Sequence, residues 1–212
     1  VSHELRTPIA RLEFALELLA ERAGDPALSK RIAAMEGDLT ELNDLVNELL
    51  SMSKLDNAQG PQRALFELEP LLRECADGLH PRPQRLYVDL GERLGSMDGD
   101  RRLLGRAVGN LLRNAQKYAA HEVALRVRRD DDRIEIVVED DGPGIPEEER
   151  ERIFEPFYRL DRSRDRATGG FGLGLSIAHK AIALHGGSVK AEQSALGGAR
   201  FVISLPDGVL ST

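Results

Sequence analysis

Leu5, Ile9, Leu12, Leu16 and Leu19 are spaced 4, 3, 4, 3 along the chain, the two-position seam of a coiled-coil-like helix. The pattern predicts a first helix over residues 1 to about 21, ended by Gly24-Asp25-Pro26. Ile32, Met35, Leu39, Leu42, Val46 and Leu49 follow at 3, 4, 3, 4, 3 and predict a second helix over about 27 to 57. Two antiparallel helices joined by a short turn expose a long apolar stripe that they cannot bury alone. Pairing two such hairpins into a four-helix bundle buries both seams, so residues 1–58 are expected to form a homodimer. The competing arrangement packs the hairpin against the rest of the chain.

Gln59-Gly60-Pro61 reads as a linker to a second domain, residues 62–212. Helices are expected at 68–78, about 100–119 and about 173–185, with a short strand at 86–90. Val123, Leu125 and Val127 alternate, as do Ile134, Ile136 and Val138. They predict strands at 122–129 and 133–139 turning at Asp130-Asp131-Asp132, and closing strands fall at 187–193 and 199–205. The fold class is therefore α plus α/β: a helical hairpin followed by an α/β sandwich with helices on one face of a sheet.

Bulk properties narrow the picture. The 212 residues are 41% hydrophobic and 31% charged, ordinary for globular protein, and no stretch reaches the roughly 18 apolar residues of a membrane span. Only 4% are aromatic, so the core must be built from Leu, Ile, Val and Ala. The net charge of −7 argues against a nucleic-acid-binding surface. Residues 1–58 hold 6 basic and 11 acidic side chains, so the acidity is concentrated in the hairpin. The single Cys75 excludes an intrachain disulfide and fits a reducing cytosol. Val1 stands almost on top of the first motif, and the chain reads as a fragment of a longer protein.

That first motif is Ser2-His3-Glu4-Leu5-Arg6-Thr7-Pro8. His3 falls one step outside the seam and should project to solvent, with Thr7 on the same outer face one turn away. Pro8 cannot donate to the carbonyl of Glu4, which should bend the helix just after the histidine. On the 100–119 helix, Asn110, Asn114 and Lys117 sit at i, i+4 and i+7. This polar stripe offers amide oxygens for Mg²⁺ and a point positive charge for phosphate.

Three ordered blocks follow: Glu139-Asp140-Asp141-Gly142-Pro143-Gly144-Ile145, Ile153-Phe154-Glu155-Pro156-Phe157-Tyr158-Arg159, and Gly170-Phe171-Gly172-Leu173-Gly174-Leu175. Asp140 ends a strand before a glycine-rich turn, where a carboxylate can accept from the exocyclic amine of adenine. Gly142 and Gly144 permit positive φ and close approach to a ring. Gly170, Gly172 and Gly174 lead into a helix whose free N–H groups favour phosphate. The charged stretch from Arg159 to Gly169 reads as a lid. No P-loop sequence is present. His80, His121, His179 and His185 lack ligand-like spacing and are taken as surface or packing residues.

Over essentially its whole length the chain resembles the sensor histidine kinases of bacterial two-component systems, and its lid region is similar to that of Gram-negative envelope-stress sensors. The resemblance implies ATP-dependent phosphorylation of His3, with Glu4 accepting the other imidazole proton. It also implies transfer to an aspartate of a response-regulator protein, and phosphatase activity in which Thr7 positions a water. By the same resemblance Asn114 coordinates Mg²⁺ with Asn110 assisting, Lys117 contacts phosphate and Tyr118 packs near adenine. The Asp-x-Gly-x-Gly pattern selects Asp140, Gly142 and Gly144, with Asp141 the competing carboxylate. Arg159, Gly170, Gly172, Gly174 and Leu175 complete the expected nucleotide site. ATP and Mg²⁺ are the expected cofactors. The full-length protein is expected at the bacterial inner membrane with this part in the cytoplasm. The rival reading is an ATP-gated, chaperone-type protein on the same nucleotide fold, against which the His3 box on a dimerising hairpin counts.

Overall fold

The computed structural model describes residues 12, 15, 16, 19, 26–56, 60–79, 83–92, 94–130, 132–160 and 171–207. His3, Glu4, Thr7, Gly170 and residues 161–169 of the expected lid lie outside them. Leu12, Ala15, Leu16 and Leu19 are helical. Helix α1 spans Pro26–Asp56, with its proline in the first turn, where the missing N–H has no partner to lose.

The circumference of α1 is divided between two apolar faces. On the seam, Met35, Leu42 and Leu49 remain exposed within the single chain, as the hairpin argument requires. A second stripe, Leu45, Met52 and Leu55, belongs to the core of the α/β domain, and α1 packs against the helix at Gly174–Leu184. Packing against the rest of the chain thus uses one face of the helix and leaves the seam residues Met35, Leu42 and Leu49 uncovered on another.

Beyond the linker come β1 (Ala64–Glu67), α2 (Leu68–Asp77), β2 (Arg85–Asp89), β3 (Ser96–Gly99) and α3 (Arg101–Tyr118). Then follow β4 (Glu122–Arg129), β5 (Arg133–Asp140), two short 3₁₀ turns over 147–154, α4 (Gly174–Leu184), β6 (Ser188–Gln193) and β7 (Ala199–Pro206). Five strands form one mixed sheet in the order β2-β4-β5-β7-β6, parallel only between β2 and β4. β1 and β3 make a separate antiparallel pair with Phe66 opposite Met97. This pair was not expected, because four-residue strands are too short to show a period of two.

Alternation in β5 sends Ile134, Ile136 and Val138 inward, all fully buried. They meet Leu104, Val108, Leu111 and Leu112 of α3 and Ile177, Ala178 and Ala181 of α4 in one cluster closed by Phe201. Leu, Ile and Val supply the volume that the few aromatics cannot. Cys75, half-buried between α2 and α3, donates its thiol to the Gly105 carbonyl at 3.4 Å, and burial pushes that thiol above its ordinary pKa. No helix among the described residues is long and apolar enough to cross a membrane.

Candidate functional site

The site is built on α3, the end of β5 and the start of α4. Asp100 caps α3, its Oδ1 accepting from the backbone N–H groups of Arg102 and Leu103 at 3.1 Å. The inward rows of Leu104, Val108, Leu111 and Leu112 then orient the helix, leaving Asn110, Asn114, Lys117 and Tyr118 partly exposed at its edge. Lys117 Nζ lies 4.7 Å from the centre of the Tyr118 ring, a cation–π distance.

At the end of β5 the two adjacent aspartates have opposite environments. Asp140 is 1% exposed. Its Oδ1 accepts from Gly142 N at 2.9 Å and Ala199 N at 3.1 Å, and its backbone carbonyl accepts from Gly198 N. Its Oδ2 is buried without a hydrogen-bond partner among the described residues. Burial pushes the Asp140 carboxyl above the usual aspartate range, against the pull of the Gly142 and Ala199 N–H groups and with some help from Asp141. Asp141 instead accepts at Oδ1 from Ala120, His121 and Glu122 N at 2.9–3.0 Å. Desolvation acts upward on it, but those N–H groups together outweigh it and hold it below the usual range. An orphaned buried acceptor is costly unless a donor arrives, and of these two aspartates Asp140 is the one that has such an acceptor.

The walls around Asp140 are glycines by necessity. A Cβ on Gly142 would stand 2.4 Å from the Tyr118 carbonyl oxygen, and one on Gly198 would stand 2.2 Å from Asp140 Oδ1. Gly198 was missed in the sequence, where the only signal was the Gly197-Gly198 pair before the last strand. Gly144, at φ 73°, occupies the left-handed region that favours glycine.

The phenylalanine block meets the last glycine block and the core. Phe154 packs edge-on against Phe201, whereas Phe157 is exposed with φ 65° and donates its N–H to the Gly172 carbonyl at 3.0 Å. Gly172 has φ 74°, and a Cβ there would meet the Tyr158 carbonyl at 2.7 Å. Arg159 is half-buried at the described edge of the lid. Gly174 opens α4, whose first turn has no side-chain cap, leaving its N–H groups available to an anion. Leu175 packs partly against the core. Asn110 Nδ2 donates to the Gly174 carbonyl at 2.9 Å.

These residues fit adenine nucleotide and its metal. Asp140 Oδ2 needs a donor within a glycine-walled cradle, and α3 presents the Asn110 amide against the uncapped start of α4 with the Lys117 ammonium two turns further along the helix. No group of three or more His, Cys, Asp or Glu capable of holding a metal exists among the described residues.

Residues 99–209 match the family of histidine kinase-, DNA gyrase B- and HSP90-like ATPases, and residues 1–58 match the His Kinase A phospho-acceptor domain. The sensor histidine kinase CpxA of Escherichia coli K12 is 38% identical over 97% of this chain, and the sensor protein RstB of the same strain 41% identical over 97%. The chain spans 45% and 47% of their respective lengths. A full-length ShkA crystallised with AMPPNP superposes at a TM-score of 0.81, with 29% identity over 97% of this chain and 44% of that one. The Acinetobacter baumannii histidine kinase AdeS superposes at 0.65, with 25% identity over 98% and 99%. The chain belongs to the sensor histidine kinases.

Proposed function

We propose that this chain is the catalytic core of a two-component sensor: it phosphorylates His3 from ATP and passes the phosphoryl group to an aspartate of a response regulator. The observation that carries the nucleotide half is the buried, partnerless Oδ2 of Asp140, placed to accept from the exocyclic amine of adenine. Guanine presents a carbonyl at that position and would set oxygen against oxygen. Tyr118 lies beside the ring, and Gly142, Gly144 and Gly198 admit it. Lys117, the amides at the start of α4, the glycine block from Gly170 and Arg159 face the phosphates. The Asn114 amide oxygen would hold Mg²⁺ beside the phosphates, where the ion would supply neutralisation of phosphate charge.

The catalytic residues in this reading are His3, Glu4 and Thr7. A neutral His3 nitrogen attacks the γ-phosphorus in line, the bond to the β,γ-bridging oxygen breaks, and ADP leaves. Glu4 takes the proton from the other ring nitrogen. The acyl phosphate formed on the regulator is later hydrolysed by a water held by Thr7. Residues 1–58 form the dimer, residues 62–212 the ATP-binding domain, and the full-length protein is anchored in the bacterial inner membrane. Incubation with γ-³²P-ATP should give acid-labile, base-stable label that disappears in His3→Gln while nucleotide affinity is kept. Label surviving in that variant, or none in the parent, would sink the kinase reading in favour of an ATP-gated binding protein.

A further inference from the structure

We infer that Asn110 is a strap rather than a metal ligand, joining the polar stripe of α3 to the glycine entrance of α4, and that Arg113 is the positioning residue that sets its orientation. The inference rests on the nucleotide reading given above. A side-chain amide has one acceptor atom and one donor group, and here each faces a protein partner of the opposite kind. Nδ2 donates to the carbonyl of Gly174, 64 residues away in sequence, at 2.9 Å. Oδ1 accepts from Arg113 Nη2.

Turning the amide over would set its oxygen against the Gly174 carbonyl and its NH₂ against a guanidinium. The permanently charged Arg113 therefore leaves only one orientation favourable. Gly109 leaves room for the contact, since a Cβ there would stand 3.2 Å from Arg113 Nη1 and make the guanidinium shift slightly as it folds back along α3. At Gly174 a Cβ would lie 3.7 Å from Asn110 Cγ, so α3 and the first turn of α4 meet at van der Waals distance around the strap. An oxygen already held by a cation is a poor ligand for a second, doubly charged one. Within the stripe this leaves the amide oxygen of Asn114 to serve Mg²⁺, while Asn110 fixes how far the stripe stands from the amides that receive the phosphates.

The test is calorimetric titration of the whole chain with ADP, with and without Mg²⁺, alongside thermal unfolding. Asn110→Ala should weaken binding about 3- to 10-fold, the worth of one or two hydrogen bonds, yet retain the full gain in affinity that Mg²⁺ brings. Asn114→Ala should lose that gain. Arg113→Met should weaken binding by a smaller factor, Arg113→Lys should restore part of it, and Arg113→Met added to Asn110→Ala should cost nothing more. Loss of the Mg²⁺ gain in Asn110→Ala, wild-type affinity in Arg113→Met, or additive losses in the double variant would each overturn the inference. If Asp140→Asn and Asn114→Ala also bind like the parent, the nucleotide reading is what has failed.

Discussion

His185 Nε2 accepts a hydrogen bond from the backbone N–H of Asp100 at 2.9 Å, across 85 residues of sequence. The other ring nitrogen, Nδ1, lies 2.7 Å from the Ala181 carbonyl, which requires a proton on Nδ1 and a lone pair on Nε2. The end of α4 is thereby pinned to the cap of α3. Asp100 also holds the linker, its Oδ2 accepting from Gln62 N at 3.0 Å. His185, expected as a surface or packing residue, is buried and joins the two helices that carry the site.

Asp100→Ala should lower stability by about 1–2 kcal/mol through loss of the cap, and Asp100→Asn by less, since an amide oxygen still accepts. His185→Leu should cost about 1–3 kcal/mol by stranding the Asp100 N–H in the interior. Urea unfolding followed by circular dichroism measures all three. An unchanged midpoint in His185→Leu would mean that this contact contributes nothing.

Asp140→Asn should weaken ADP binding by about 1.5–3 kcal/mol, the worth of a charge-assisted hydrogen bond, with little loss of stability. Asp141→Ala should do the reverse, lowering the melting temperature and sparing affinity, because it frees three backbone N–H groups at the start of β4. Calorimetry and thermal melting on both variants separate the two roles.

The pH dependence follows from the same pair. Because burial raises the Asp140 carboxyl, its ionisation opposes folding, and its effect on stability worsens as pH rises from the unfolded value of about 3.9 through the folded one. Adenine recognition runs the other way: the acceptor is lost as pH falls through the raised value. The affinity difference between the parent and Asp140→Asn should therefore shrink on acidification above the range of an ordinary aspartate. Asp141, held low, supports folding above about pH 3.9 and ceases to do so as pH falls through its folded value.

Two glycines should respond oppositely to alanine. Gly198→Ala forces a methyl onto Asp140 and Gly142 N and should cost about 1–3 kcal/mol, with weaker nucleotide binding. Gly37 lies within α1 with nothing within 4 Å of an added Cβ, so Gly37→Ala should stabilise by about 0.5–1 kcal/mol. Chemical denaturation checks both.

Periodicity made most of the fold legible: α1, α3, β4, β5 and the closing strands lie within a residue or so of where spacing and turn signals put them. The paired β1 and β3 were hidden because neither is long enough to alternate. Within the site, Asp140 and its glycines were legible because they are neighbours in the chain. Gly198 was not, since its need for hydrogen at Cα arises from a carboxylate 58 positions earlier. The stripe spacing also could not reveal that Asn110 faces Gly174 while Asn114 does not. Along α1, Leu45, Met52 and Leu55 were masked by the stronger seam beside them.

Those three side chains carry the apolar core upstream of the change in composition at residue 60. A fragment cut at the linker would lose Leu55, Met52 and Leu45 from its core and bare the surface of α4 that they cover. A fragment begun near residue 44 would carry its own cover as a helical tail. The last turns of α1 thus belong to both the seam-bearing helix and the core, and a twist applied to that helix from its exposed seam would be felt directly by the helix that begins at Gly174.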